Sequence, residues 1–187
     1  SQGSVNFMGS ANEAIDYYLQ GSSIYNEGVV DLREHQGRVA GSRHILQEVT
    51  FLVNGQPTTQ MLMGSGVTIR TTFHSDSPLR NIRFGINIEN VFEQLVVAFS
   101  PVFQAPTLTT NTKVRSGIIS CIIPHIPLLP GTYYGKIIIG EKGVNLDVIE
   151  RAFQFTVEPA DVFGTGYVMR NNQGVFYQAA RWSLHEQ

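Results

Sequence analysis

Cys121 is the only cysteine in this 187-residue chain, which excludes an internal disulfide and removes any argument for an oxidising compartment. The isoleucines around it, in Ile118-Ile119-Ser120-Cys121-Ile122-Ile123, predict a buried structural thiol rather than a nucleophile. No apolar run approaches the ~20 residues of a membrane-crossing helix, and no basic-then-apolar signal segment opens the chain. Asn-x-Ser/Thr sequons are missing too. A soluble, cytoplasmic protein is the simplest expectation. Charge is also scarce, at 15% of residues against roughly 25% in an average globular protein. Thirteen Lys and Arg against fifteen Asp and Glu give a net charge of −2, so the basic excess that grips phosphates is lacking and no nucleic-acid partner is expected. With so few charges, hydroxyls, amides and backbone must supply the polar surface, beside 7 Tyr, 11 Phe and 1 Trp. Such a surface suits neutral, hydroxyl-rich ligands.

Catalytic chemistry is equally hard to find. The histidines (His35, His44, His74, His125 and His185) show no zinc-site spacing with one another or with Cys121. His74-Ser75-Asp76 brings two potential ligands together, but Ser75–Pro78 is turn chemistry and reads as a capped turn. Gly64-Ser65-Gly66 lacks the nucleophile-elbow pattern and reads as a hairpin turn. Glu89, Glu93, Asp147 and Glu150 could supply a carboxylate pair for glycosidic cleavage, yet nothing selects two of them, and each fits a solvated strand end. A phosphate-binding Gly-x-x-x-x-Gly-Lys-Ser/Thr loop is absent. No cofactor or metal is implied, and a binding module is favoured over an enzyme.

What is present is period-two alternation. A capping pattern, Ser10 to Glu13, and apolar Ala11, Ala14, Ile15 and Tyr18 predict one short amphipathic helix over Ala11–Gln20. Residues 21–42 are glycine-containing and charged, and read as a connector with a short strand near Val29–Leu32. Strands are then predicted around Ile45–Phe51 (closed by the hairpin turn Asn54-Gly55), Val67–Phe73, Ile82–Glu89 and Leu95–Phe99. Further strands follow at Ser116–Ile123, Tyr133–Ile139, Ala152–Val157 and Gly174–Ala180. Ser116–Ile123 is apolar on both faces and is expected to be central and doubly covered. Gln104–Asn111 is a polar, Thr-rich loop. About eight strands at this spacing predict an all-β, antiparallel β-sandwich of jelly-roll or immunoglobulin-like type with one short N-terminal helix.

Sugars present hydroxyls around apolar C–H faces, and proteins meet them with aromatic platforms, planar amides, Asp and Arg. Alternation turns Thr68, Arg70 and Thr72 outward on one strand and Arg83 and Asn87 on the next. Tyr134 and Lys136 face outward on a third, and Tyr177 or Gln178 on the last, followed by Arg181 and Trp182. The set Arg70, Thr72, Arg83, Asn87, Tyr134, Tyr177, Gln178 and Arg181 is the candidate carbohydrate-binding group, expected on one wet face. The alternative is a solvated face without a ligand.

Three segments resemble the C-terminal carbohydrate-binding domain of the ATPase subunit, of Wzt type, of O-antigen polysaccharide ABC exporters. They are residues 9–18, Leu128-Leu129-Pro130-Gly131-Thr132-Tyr133-Tyr134, and Ala152–Val157 followed by Phe163-Gly164-Thr165-Gly166, with Trp182 near the chain end. The resemblance implies a jelly-roll-like sandwich at residues 43–187, joined through a helix and connector at 1–42 to an upstream ATPase domain. It implies cytoplasmic recognition of finished O-polysaccharide at its non-reducing end, where some members read a chemical cap, at the inner face of the bacterial inner membrane. Partners implied are the membrane channel subunit and a second copy, paired by exchange of the C-terminal strand through Gly164, Gly166, Val175, Tyr177 and Trp182. An acidic cap would draw on Arg70, Arg83 and Arg181. Two rival readings stand beside this one: a secreted adhesin-like sandwich that binds protein or glycan, and a glycan-acting enzyme.

Overall fold

The computed structural model describes residues 28–106 and 113–185. The helix expected at Ala11–Gln20 lies outside them, as does most of the Thr-rich loop. Among the described residues ten strands form two sheets, rather than the eight expected. The first sheet runs β1 (Val29–Asp31), β2 (Leu46–Val53), β5 (Val67–Arg80) and β8 (Lys113–Ile123), with β3 (Gln56–Pro57) also on β2. The second runs β4 (Gln60–Leu62), β10 (Val144–Glu158), β9 (Gly131–Glu141), β6 (Ile82–Asn90) and β7 (Leu95–Phe99). All pairings are antiparallel except β4 on β10. One turn of helix, α1 (Pro101–Gln104), follows β7.

The alternation read from the sequence sets the two inner faces. Val67, Ile69, Thr71 and Phe73 of β5 are buried, as are Ile82, Phe84, Ile86 and Ile88 of β6. Between the sheets Phe51 stacks on Phe155 at 4.9 Å between centroids, and Tyr133 on Phe155 at 5.6 Å. Phe153 lies over Gly135, where a Cβ would fall 2.0 Å from the ring. The Asn54-Gly55 turn has both residues left-handed, at φ 51° and 81°, as a two-residue hairpin with right-handed strand twist requires.

Several expectations are corrected. Ser116–Ile123 lies in an edge strand, not a central one: β8 pairs with β5 alone among the described residues. Its outward Ile118 and Ile122 are 64% and 72% exposed, so apolar residues on both faces did not mean two covers. Cys121 is half-buried, and burial pushes its thiol upward, away from a reactive thiolate. Ser75–Pro78 makes no chain reversal; it is a bulge inside β5. Gly174–Ala180 forms no strand; its one β-bridge among the described residues joins Phe176 to Leu128. The sandwich also takes in residues 28–42, assigned above to the connector: β1 buries Val30, and Leu32 and Arg38 follow it inside. Asp147, read as a solvated strand end, is fully buried. It pairs with the Arg38 guanidinium and accepts the backbone N–H groups of Ile45 and Leu46 at 2.7 and 2.8 Å.

Candidate functional site

On the outer face of the second sheet, register places Tyr134 of β9 between Glu89 of β6 and Gln154 of β10. One step along, Asn87 faces Lys136. Opposite these, β10 carries a bulge in which three residues, Glu150–Ala152, face the single Lys136. Arg151 takes φ 48°, a conformation few non-glycine residues adopt, and this turns its side chain outward. Its guanidinium lies 4.7 Å from the centroid of the Tyr134 ring and covers it, which accounts for the burial of an outward tyrosine. Arg151 Nη2 also donates to Glu93 Oε1 at 2.8 Å. Glu93, itself at φ 61°, sits in the β6–β7 hairpin. Asn90 holds that hairpin shut, its Oδ1 accepting from the N–H groups of Phe92 and Gln94 at 2.9 and 3.0 Å. Lys136 Nζ donates to Glu150 Oε1 at 3.0 Å.

The result is a pre-set plate of aromatic, guanidinium, amide and carboxylate groups, with the 74%-exposed Phe92 ring at the hairpin tip. Both of its cations are paired, Arg151 with Glu93 and Lys136 with Glu150, and Glu89 adds a further carboxylate. Hydroxyl groups both donate and accept, so a mixture of donors and acceptors beside a ring, with no excess of cations, fits a neutral sugar. Of the four carboxylates named from the sequence, Glu93 and Glu150 are tied to Arg151 and Lys136, Asp147 is inside the core, and Glu89 stands beside Tyr134.

The structure divides the residues chosen from sequence. Asn87 and Tyr134 belong to this plate. Arg83 shares the face, but six residues before Glu89 on β6, roughly 20 Å along the strand. Arg70 and Thr72 point outward from the other sheet, in rows with Ser120 and Ile118, on the opposite side of the sandwich. Arg70 and Arg83 therefore cannot converge on one acidic cap. Tyr177, Gln178, Arg181 and Trp182 lie on the segment after Pro159. The Tyr177 N–H donates to Pro127 O at 2.8 Å, and its ring meets Phe163 edge-on at 5.8 Å. Val175 O accepts from Leu129 N–H at 3.1 Å. Gly164 and Gly166 are left-handed, at φ 67° and 82°. The Asp161 carboxylate accepts the Gly166 and Thr165 N–H groups at 2.7 and 3.2 Å, which lowers its pKa. Arg151 was missed as a candidate because alternation fails across a bulge, and nothing in the sequence marks a left-handed arginine.

The family model of the Wzt C-terminal domain matches residues 39–176. This chain belongs to that family. A solved structure described as the crystal structure of the C-terminal domain of wzt superposes with a TM-score of 0.61 at 12% identity, covering 89% of this chain and 94% of that one. At that identity the likeness speaks for the fold alone. A comparison with curated proteins finds no match. As a Wzt C-terminal domain, the chain is a carbohydrate-recognition domain of an ABC exporter, a binding domain with an all-β sandwich fold. Among the described residues no helix is long and apolar enough to cross a membrane.

Proposed function

We propose that this domain reads the O-antigen polysaccharide at its non-reducing end, on the outer face of the second sheet, and so sets the substrate specificity of its exporter. The observation that carries the reading is Arg151, held left-handed by a bulge, stacked on Tyr134 and braced by Glu93. Strained residues over-determined by their neighbours belong to ligand sites more often than to plain sheet surface. Asn87, Glu89, Lys136 and Gln154 supply hydroxyl partners, and Phe92 a platform for C–H faces. In this reading the domain works at the cytoplasmic face of the inner membrane, joined to an ATPase part and through it to the channel subunit. Two copies pair by exchanging the segment after Gly164–Gly166. Phe176, Trp182 and Leu184, exposed at 60%, 93% and 93%, are the apolar surface that a partner would cover.

Calorimetry with the purified polysaccharide tests the site. Arg151→Gly keeps the left-handed bulge, since glycine accepts that conformation freely, and removes the side chain with its contacts to Tyr134 and Glu93. Its affinity should fall at least tenfold, the equivalent of about 1.4 kcal/mol. Unchanged affinity in both Arg151→Gly and Gln154→Ala would sink this placement.

A further inference from the structure

We propose a second sugar-binding site on the first sheet, a cleft of about 230 Å³ walled by Arg43, His44, His74, Ser75, Asp76 and Ser77. Two irregularities build it. In β5 the four residues Ser75–Pro78 face only Arg115 of β8, so the strand bulges outward. Ahead of β2, His44 takes φ 39° and its Nδ1 lies 3.1 Å from Arg33 O, which fixes the ring. The His74 N–H donates to Ile45 O at 2.8 Å and ties the two walls together. Bulges and strained non-glycine residues concentrate where a sheet re-aims side chains at a ligand.

The cleft differs from the Tyr134 plate in one decisive respect. On the plate Arg151 and Lys136, its two cations, are both spent on carboxylates, Glu93 and Glu150. Here Arg43, His74 and Asp76 form no side-chain hydrogen bond or ion pair among the described residues, and the lining includes the buried Ser75. Donors and acceptors with unused capacity converge on a space of roughly eight water volumes, enough for one sugar ring. Asp76 opposes an anion, so phosphate or a carboxylate is disfavoured. Among the described residues no three His, Cys, Asp or Glu side chains are placed to hold a metal ion. The chemistry that remains is a neutral monosaccharide with adjacent hydroxyls, bridged by the Arg43 guanidinium and the Asp76 carboxylate. The ligand class rests on the glycan reading above; the geometry of the cleft does not.

The test is an amide-resonance titration of the 187-residue chain with methyl glycosides of glucose, galactose, mannose and rhamnose, and separately with inorganic phosphate. At least one glycoside should shift His44 and His74–Ser77, and Asp76→Asn and Arg43→Ala should each weaken that response about tenfold or more while Arg151→Gly leaves it intact. Phosphate should not shift these residues. Glycoside shifts confined to the Tyr134 face would overturn the cleft and leave the main reading standing. Shifts by phosphate alone would overturn the ligand class. If no glycoside shifts either region the cleft is refuted, and polysaccharide binding lost in Arg151→Gly would show that the main reading survives it.

Discussion

One carboxylate oxygen of Asp147, on β10, accepts the backbone N–H groups of both Ile45 and Leu46 at 2.7 and 2.8 Å, and the Arg38 guanidinium reaches the same oxygen. Arg38 also donates to Leu46 O at 3.0 Å, so one buried pair joins the start of β2 to the opposite sheet. Removing one partner leaves a buried charge alone. Arg38→Met should therefore cost about 3–5 kcal/mol in chemical denaturation. Adding Asp147→Leu should not restore stability, because two buried amides would then lack an acceptor, each worth about 1–3 kcal/mol. Full recovery in the double variant would refute this account.

Gly135 owes its place to Phe153. A Cβ there would lie 2.0 Å from the ring. Gly135→Ala should destabilise by about 1–3 kcal/mol, the usual range for overpacking, and Phe153→Leu should return part of the loss in the double variant. Additive losses in a thermal or urea melt would show that the two residues do not share the space.

The Asp161 carboxylate keeps the Gly164–Gly166 turn folded back through the Thr165 and Gly166 N–H groups. If the exchanged arm swings about this turn, Asp161→Ala should loosen it and raise the fraction of dimer at fixed concentration. Light scattering after size-exclusion chromatography reads that fraction. A lower dimer fraction would mean that the turn is needed in the exchanged form instead.

Acid should act in two windows. Burial, and then the Arg38 charge, lower the pKa of His35 below its ordinary 6.5. The unfolded chain therefore takes up that proton first, and stability declines as pH falls below 6.5. Asp31 is held down at about 2, first by the Arg33 side chain and then by the Arg33 N–H. Its contribution is intact above 3.8 and is lost between 3.8 and about 2. This second effect is small, because the pair is solvent-exposed. His35→Gln should flatten the first limb of a thermal-midpoint profile and Asp31→Asn the second. Parallel profiles across all pH values would contradict both assignments.

Most of the fold was legible because alternation is a local signal. Ile82, Phe84, Ile86 and Ile88 declare an inner face with no help from distant residues, and Asn54-Gly55 declares its own turn. The same rule picked out Tyr134, Asn87 and Arg83 as outward. It failed where period two breaks, at Ser75–Pro78 and at Glu150–Ala152, because a bulge is chosen by the partner strand's register and not by the bulged residues.

The chain's scarcity of charge and its single cysteine thus narrowed the partners and set aside an internal disulfide, while period-two alternation marked out the β-sandwich. Tertiary structure alone decided which outward residues share a surface. Arg70 and Arg83 look equivalent along the chain, yet they point away from each other because their strands belong to different sheets. Arg151 and Glu93 are 58 positions apart and meet over Tyr134 only because β10 lies two strands from β6. Alternation says that a side chain leaves the core, and only the packing of two sheets says on which side.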